Sequence, residues 1–313
     1  MADTPLETRA DQKLTAVLLN HRTPTETRSA IDSLLASDRP LDEIIVVDND
    51  ATSTCPAELK PLAGRFTYLQ TGSNLGFSGG MNAGIRVGLE HGASSILVMN
   101  SDALVMPNTV RHLEDALSSH TEAGIAGPAV VQSSNPGRVA SLGIRYASAT
   151  GRMRHRAVGG RISTVQSPEC DMVDGVAGCL MLIKRAVFDA VGLFDERFFY
   201  SFEDLDLCLR AQRAGYRTIV VRQATAVHEG GRTIGSDSPR RLYFASRNHL
   251  LLSKKMLIGR GPLASASQAS VIFCLNVAHA LIAPGGSVGS RLRAVVAGAR
   301  DYSKGRFGSD RLE

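Results

Sequence analysis

The sequence predicts an α/β protein built on a mostly parallel central sheet flanked by helices, with a helical extension at its C-terminal end. Three observations predict it. Over the first ~130 residues, short β-branched runs alternate with helical patterns, the mark of βαβ units. The polar residues of that stretch gather at the carboxyl ends of the runs. From Pro239 onward only helical patterns remain.

Leu14–Leu19 reads as the first strand, and Thr25–Ala36 as a helix with Ile31, Leu34 and Leu35 on one side. Glu43–Val47 and Phe66–Gln70 follow as strands, then Ser78–His91 as a helix, Ser95–Met99 as a strand and Pro107–Leu117 as a helix with proline in its first turn. The middle, Ser133–Glu169, is rich in Gly, Ser and Arg and reads as loops with short strands. Gly178–Ile183 is a strand, Arg185–Val191 a short helix, Glu203–Ala214 a helix stopped by Gly215, and Thr218–Val221 a strand. Pro239–Lys255, Ala264–Ala283 and Arg291–Arg300 read as helices. The sequence thus divides into an N-terminal tail (1–13), an α/β part (14–231, with halves 14–130 and 131–231) and a helical region (232–313), the last boundary falling at Gly231–Ser238, a Gly/Ser/Asp-rich piece.

The chain has 313 residues, 43% of them hydrophobic and 21% charged, which excludes disordered and collagenous classes and predicts a sizeable core. Its net charge of +5 is spread along the length, suiting a phosphate-bearing partner but lacking the concentrated stripe of a nucleic-acid binder. The five cysteines include no C-x-x-C pair, and Met1–Lys13 lacks an apolar segment, so a reducing, cytoplasmic location is expected. Gly261–Ser290 contains no charged residue, yet Ala, Ser and amides dilute it too much for a spanning helix.

Sheets of this kind bind ligands at the carboxyl ends of their strands. There stand Asn20 and Arg22, then Asp48 and Asn49, then Asn100 and Asp102. Asp48 can accept bonds from a nucleoside or cap its own loop. Asn74-Leu75-Gly76-Phe77-Ser78-Gly79-Gly80-Met81-Asn82-Ala83-Gly84 packs glycines into a helix start, where N–H groups can face an anion or the glycines can serve close packing. Asn100-Ser101-Asp102 resembles a D-x-D arrangement whose last acid binds a divalent metal shared with a diphosphate; one carboxylate suffices, and an N-cap is the plainer reading. Phe202-Glu203-Asp204-Leu205-Asp206 sets three acids at a helix start, favoured there by the helix dipole. The aromatic residues around them would push a carboxylate towards the range of a general base. His228, at a strand end, is either a structural histidine or a metal ligand.

Seven pieces occur in order: "VLLNHR" (17–22), "IIVVDND" (44–50), "NLGFSGGMNAGI" (74–85), "ILVMNSDALVMP" (96–107), "DGVAGCLMLIKRAVFDAVGLFDERFFYSFEDLDLCLRAQRAGYR" (174–217), "AVHEGG" (226–231) and "YFASRNHLLL" (243–252). Together they resemble the inverting glycosyltransferases of family 2, and among them the rhamnosyltransferase-like group. The resemblance implies the GT-A fold, with a Rossmann-like sheet. It implies that Asn20, Arg22, Asp48, Asn74, Gly76, Gly79, Gly80, Asn82, Asn100, Ser101 and Asp102 hold a sugar nucleotide, and that Asp102 and His228 ligate Mg²⁺ or Mn²⁺. Asp204 would be the base, supported by Glu203, while Asp206, Tyr243, Arg247 and Asn248 would lie near the acceptor or the diphosphate. Two pieces depart from the family pattern: Asn100-Ser101-Asp102 lacks a carboxylate of the fuller motif, and Leu19-Asn20-His21-Arg22 replaces Thr-Tyr-Asn.

The implied activity is transfer of a sugar, L-rhamnose from dTDP-rhamnose, to a hydroxyl of a glycan or lipid-linked acceptor. The same fold with a UDP-galactofuranose or UDP-hexose donor is one alternative, and a non-catalytic sugar-nucleotide-binding or scaffold protein another. A Rossmann dehydrogenase is disfavoured because no G-x-G-x-x-G follows the first strand. No nucleic-acid partner is expected. The uncharged tail helix could form a homodimer or lie on the inner face of a membrane, with Arg291, Arg293, Arg300, Lys304 and Arg306 turned to anionic lipid.

Overall fold

The structure is a computed structural model and describes residues 13–52, 55–229, 238–257 and 261–309. The expected tail and the Gly231–Ser238 boundary lie almost wholly outside the described residues, as do Gly230 and Gly231 of the sixth motif.

The first half is a parallel block. Strands β1 (Leu14–Asn20), β2 (Glu43–Asp48), β3 (Thr67–Gln70) and β4 (Ser95–Asn100) pair in the order β4-β1-β2-β3. Ala16–Leu18, Ile45–Val47 and Ile96–Met99 are completely buried, as uninterrupted apolar runs must be when helices cover both sheet faces. Helix α1 (Pro24–Leu35) and the short α2 (Cys55–Leu59) pack on one face, and α3 (Gly76–Glu90) on the other. Along α3, Gly80, Gly84 and Gly88 recur every fourth residue on the side facing the sheet. A Cβ at Gly84 would stand 2.5 Å from Val17 and 2.6 Å from Val47, so these glycines let the helix lie directly on β1 and β2.

The sheet continues through β5 (Ala103–Val105), α4 (Thr109–Ser119), β6 (Ala123–Gln132) and β7 (Asn135–Ser141). Beyond β8 (Ile144–Ala147) and β9 (Arg152–His155), which form a separate two-stranded ribbon, come β10 (Cys170–Val173), β11 (Leu180–Lys184), α5 (Arg185–Val191), α6 (Glu203–Arg213) and β12 (Arg217–His228). The complete order is β10-β12-β6-β11-β4-β1-β2-β3, with β5 and β7 attached to β12 and β6. β12 is far longer than the Thr218–Val221 that the sequence suggests. A register shift between Val221 and Thr225 lets the chain resume pairing with β6, and its last three residues pair antiparallel with β5. That extension sets His228 opposite Ala103, one residue from Asp102.

Helices α7 (Pro239–Met256), α8 (Pro262–Ile282) and α9 (Val288–Ser303) form the helical region. α7 and α9 meet closely at Gly298, where a Cβ would lie 2.3 Å from the Tyr243 carbonyl oxygen. α7 is no appendage, because Leu251 and Leu252 share a core with Phe198, Phe202, Leu205 and Leu209.

Candidate active site

A cleft of about 640 Å³ opens at the carboxyl ends of β1, β2 and β4. Leu19 and His21 line it from β1, Asn49 from the end of β2, Asn74, Gly76 and Phe77 from the start of α3, and Asn100, Ser101 and Asp102 from the end of β4. Phe199, Tyr200 and Arg240 close the other side. The structure thus brings Asn74, Gly76, Asn100, Ser101 and Asp102 together, as the sequence suggests.

Asn20 and Asp48 stand behind this lining. Asn20 donates to Asp48 (2.9 Å), accepts from Thr27 (2.9 Å), and the Tyr68 hydroxyl takes the other Asp48 oxygen, so both side chains are buried with protein partners. Strand alternation is the reason: where Asn20 points one way, Leu19 and His21 point the other. Arg22 adopts φ 61°, binds Asp50 (3.1 Å) and turns to solvent. His21, missed in the sequence, has its pKa lowered by burial and by the adjacent Arg22. Asn49, one of the polar residues at the strand ends, accepts from the Leu75 N–H (2.9 Å) and donates to the Gly76 carbonyl (2.9 Å), fixing the Asn74–Gly76 turn.

The glycine-rich segment serves packing more than an anion. The Gly76 and Phe77 N–H groups already donate to Asn74 Oδ1 (2.8 Å) and the Phe199 carbonyl (2.6 Å). Gly76 has φ +73° and would, with a Cβ, strike that same carbonyl at 2.4 Å, so only glycine fits. Gly79 and Gly80 lie inside α3, Gly80 making room for Leu19 and the Asn49 amide. Asn82 is buried and braces the loop after α5, exchanging bonds with the Phe194 backbone (2.9 and 3.0 Å) and donating to Glu196 (2.9 Å).

At the floor, Asp102 Oδ1 and His228 Nε2 are 3.2 Å apart. Burial favours the neutral imidazole, but the Cys179 sulfur and the Asp102 carboxylate outweigh it and raise His228 to about 11. Burial likewise opposes ionisation of Asp102, yet the His228 contact and the Asn100 amide hold its carboxyl below the usual range. No cluster of three His, Cys, Asp or Glu side chains that could hold a metal occurs among the described residues. The donor set nevertheless fits a hard divalent ion that takes its remaining ligands from a diphosphate and water: the Asp102 carboxylate, the buried Asn100 Oδ1, which has no hydrogen-bond partner, and the His228 imidazole once it has given up its proton.

The acid cluster follows a strained turn. Phe199, Ser201 and Phe202 all have positive φ (61°, 73° and 75°), which non-glycine residues keep only when their surroundings impose it. Here α7 imposes it. Asn248 Nδ2 donates to the carbonyls of Phe198, Tyr200 and Ser201 (2.8, 2.7 and 2.9 Å), and the fully buried Arg247 guanidinium donates to those of Phe198 (3.0 Å) and Gly308 (2.7 Å). Tyr243 bonds Asp301 (2.8 Å). Tyr243, Arg247 and Asn248 are therefore a clamp behind the turn, not contacts in the cleft: the apolar side of α7 is packed into the body and takes these polar groups with it.

Asp206 is likewise withdrawn, fully buried between Arg210 (2.8 Å) and Lys255 (2.5 Å). Glu203 and Asp204 remain. Asp204 Oδ2 accepts from the Gly178 N–H (2.9 Å) and Oδ1 from that of Leu205 (2.7 Å); burial raises its pKa and these bonds limit the rise. Burial and the neighbouring Asp204 charge push Glu203 well above the ordinary carboxylate range, and its Oε2 has no partner. The Tyr200 phenol, raised by burial, also senses Glu203, Asp102 and Asp204, so one residue of the cleft wall lies within electrostatic reach of both acidic sites.

The family profile described as glycosyltransferase-like family 2 matches residues 13–250. Among curated relatives, the low-salt glycan biosynthesis hexosyltransferase Agl10 of Haloferax volcanii is 24% identical over 78% of this chain and 76% of its own length. The N-acetylglucosaminyl-diphospho-decaprenol L-rhamnosyltransferase of Mycobacterium tuberculosis is 27% identical over 65% and 71%. Among solved structures, the mannosyltransferase PcManGT from Pyrobaculum calidifontis, in complex with GDP-Man and Mn²⁺, superposes with a TM-score of 0.57 at 15% identity, covering 93% of this chain and 87% of that one. The sheet with its strand-end cleft is thus a GT-A fold. Since the family profile spans all of that sheet and most of α7, the chain belongs to glycosyltransferase family 2.

Proposed function

We propose that the protein transfers L-rhamnose from dTDP-rhamnose, with inversion and with a divalent metal, to a hydroxyl of a glycan or lipid-linked acceptor. The observation carrying this reading is that Asp102, paired with His228, lines the strand-end cleft together with Tyr200, whose phenol also senses the Glu203 and Asp204 carboxyls standing behind that wall. The rhamnosyl donor rests on the mycobacterial relative named an L-rhamnosyltransferase; a hexosyl donor is the second reading, favoured by the archaeal relative named a hexosyltransferase.

In this mechanism the nucleotide lies over His21, Asn49 and Phe77, with Asn20 and Asp48 stiffening the strand ends beneath. Asp102, His228 and Asn100 would hold Mg²⁺ or Mn²⁺, which when bound offsets the charge that grows on the leaving diphosphate. Glu203 and Asp204 are two carboxyls in one apolar site, and such pairs separate in pKa. Glu203 is pushed further up than Asp204, so Asp204 is the first of the pair to give up its proton. Asp204 then accepts the proton of the acceptor hydroxyl as that oxygen attacks C1 opposite the leaving group. The Gly178 and Leu205 N–H groups hold its oxygens in place.

A thermal-shift panel of dTDP-rhamnose, UDP-galactofuranose, UDP-glucose and GDP-mannose, each with Mn²⁺ or EDTA, tests the reading. A ligand at ~100 times its Kd adds about 2.7 kcal/mol, worth several degrees in a chain of this size. A shift with dTDP-rhamnose that EDTA abolishes is expected. A shift with a UDP-sugar alone would replace the rhamnosyl reading with the hexosyl one, and no shift at all would remove donor binding altogether.

A further inference from the structure

Between Glu122 and Glu169 the chain has no acidic residue, yet it carries Arg138, Arg145, Arg152, Arg154, Arg156 and Arg161. Three of these stand on one face of the β8–β9 ribbon. The register pairs Ile144 with His155, Arg145 with Arg154, Tyr146 with Met153 and Ala147 with Arg152. Residues opposite each other share a face. Ile144, Tyr146 and Met153 pack inward with Phe198, Phe202 and Leu205. Arg145, Arg152 and Arg154 are therefore turned outward, and all three are exposed. None has a carboxylate within ion-pair distance among the described residues, whereas Arg156 nearby pairs with Asp171 (2.7 Å). Like charges set directly opposite on a ribbon oppose its pairing, so this face is built to meet negative charge from outside.

The tip of the same ribbon sits on α8. Gln268 donates to the Ser148 carbonyl (2.7 Å), and Gly151 (φ +71°) lies where a Cβ would strike Ile272 at 2.6 Å. α8 runs 21 residues, about 30 Å, without a charged side chain, and, contrary to the expectation that Ala, Ser and amides dilute it too much, its length and composition are enough to cross a membrane. Only Gln268, Ile272 and Ala280 are fully buried; Leu263 (86% exposed), Val271, Leu281 and Ile282 (82% exposed) lie on the side away from the body. α9 adds exposed Arg293 and Arg300 on either side of exposed Val296. Arg291, expected among the lipid-facing residues, is instead buried, donating to the Ala280, Gly285 and Gly286 carbonyls and so capping the end of α8.

We propose that the Arg145–Arg152–Arg154 face and the exposed side of α8 form one docking surface for an anionic phospholipid bilayer. The arginines meet lipid phosphates, and α8 lies in the interface with its apolar side in the acyl boundary. It does not cross, because Gln268, bonded to both Ser253 (2.7 Å) and Ser148, ties it to the body. A polyanion in solution would use the arginines but has no use for the apolar helix beside them. The surface stands apart from the cleft, so the inference does not depend on which sugar is transferred.

Sedimentation with vesicles of phosphatidylcholine alone, and of phosphatidylcholine with phosphatidylglycerol, tests it at low and high salt. The full chain is expected to bind only the anionic vesicles and to release as salt rises. At about fivefold per arginine near the surface, Arg145→Gln/Arg152→Gln/Arg154→Gln together should weaken partition about a hundredfold. Leu281→Ser/Ile282→Ser, on an exposed face that the fold does not need, should weaken it separately. Equal binding to both vesicle types, or a triple variant that sediments like the parent chain, overturns the proposal. So does the absence of vesicle binding together with a dimer that Leu281→Ser/Ile282→Ser dissolves, which would give the α8 face to a second copy. Donor binding measured in solution should be the same in every variant, which separates failure here from failure of the transferase reading.

Discussion

The two sides of the cleft are made by opposite means. On one side, Leu19, His21, Asn49, Asn100, Ser101 and Asp102 stand where parallel strands stop, and their positions follow from the sheet itself. On the other, Phe199 and Tyr200 line it from a turn of left-handed residues that leads into Glu203 and Asp204 and that Arg247 and Asn248, nearly fifty residues downstream, hold in shape. The first side is rigid by construction. The second is rigid only while α7 is docked, so damage to each should leave a different signature.

Asp204→Asn gives the sharpest separation. It removes the proton acceptor but keeps the two N–H bonds through the amide oxygen in part, so transfer should fall by about 10²–10⁴ while donor affinity holds. Initial rates set beside calorimetric donor titration check this, and full transfer by the variant would move the base elsewhere. Next in size is Asn248→Ala. It strips the Asn248 amide from the carbonyls of Tyr200 and Ser201, while that of Phe198 keeps Arg247, and leaving carbonyls unsatisfied costs about 1–3 kcal/mol. Chemical denaturation should show that loss, and kcat should drop with donor Kd unchanged. Equal damage to donor affinity would break the division between the two sides.

The smallest effect is the most diagnostic of electrostatics. Glu203 has its folded pKa raised, so over the interval above its ordinary value the native chain binds a proton that the unfolded chain does not. Stability must therefore fall as pH rises through that interval. Glu203→Gln removes the proton linkage, and its melting temperature relative to the parent should climb from pH 5 to pH 8. A difference independent of pH would show that Glu203 is ionised in the fold, and Asp204 would lose its claim to be the charged member of the pair.

The same division explains what could be read from the sequence. The parallel strands were legible to within a residue because buried β-branched runs leave little choice, and with them came Asn74, Asn100 and Asp102 at the cleft. The pairing of Asp102 with His228 follows from β12 running further than its apolar run, past an irregularity that no local pattern marks. Facing was harder. Asn20 and Asp48 sit at strand ends but on the wrong side of them, and His21 and Asn49, each the next residue, carry the lining. In the other half the types were legible and the roles were not. Asp206, Tyr243, Arg247 and Asn248 read as site residues because the family resemblance places their motifs there, yet each spends its bonds on the fold. Asn82 and the α3 glycines read alike for the same reason. Arg240 left no signal, since only the docking of α7 brings it to the cleft.

That docking also sets a clock. Asp204 leaves the ribosome before Asn248 exists, and until α7 has been made nothing holds Phe199, Ser201 and Phe202 in left-handed conformations that they would otherwise abandon. The four parallel strands can pair while synthesis is still under way, since they lie within the first hundred residues, although β4 gains β11 and Asp102 gains His228 only later. A nascent chain therefore forms the strand-end side of the cleft well before it can hold the turn that leads into Asp204.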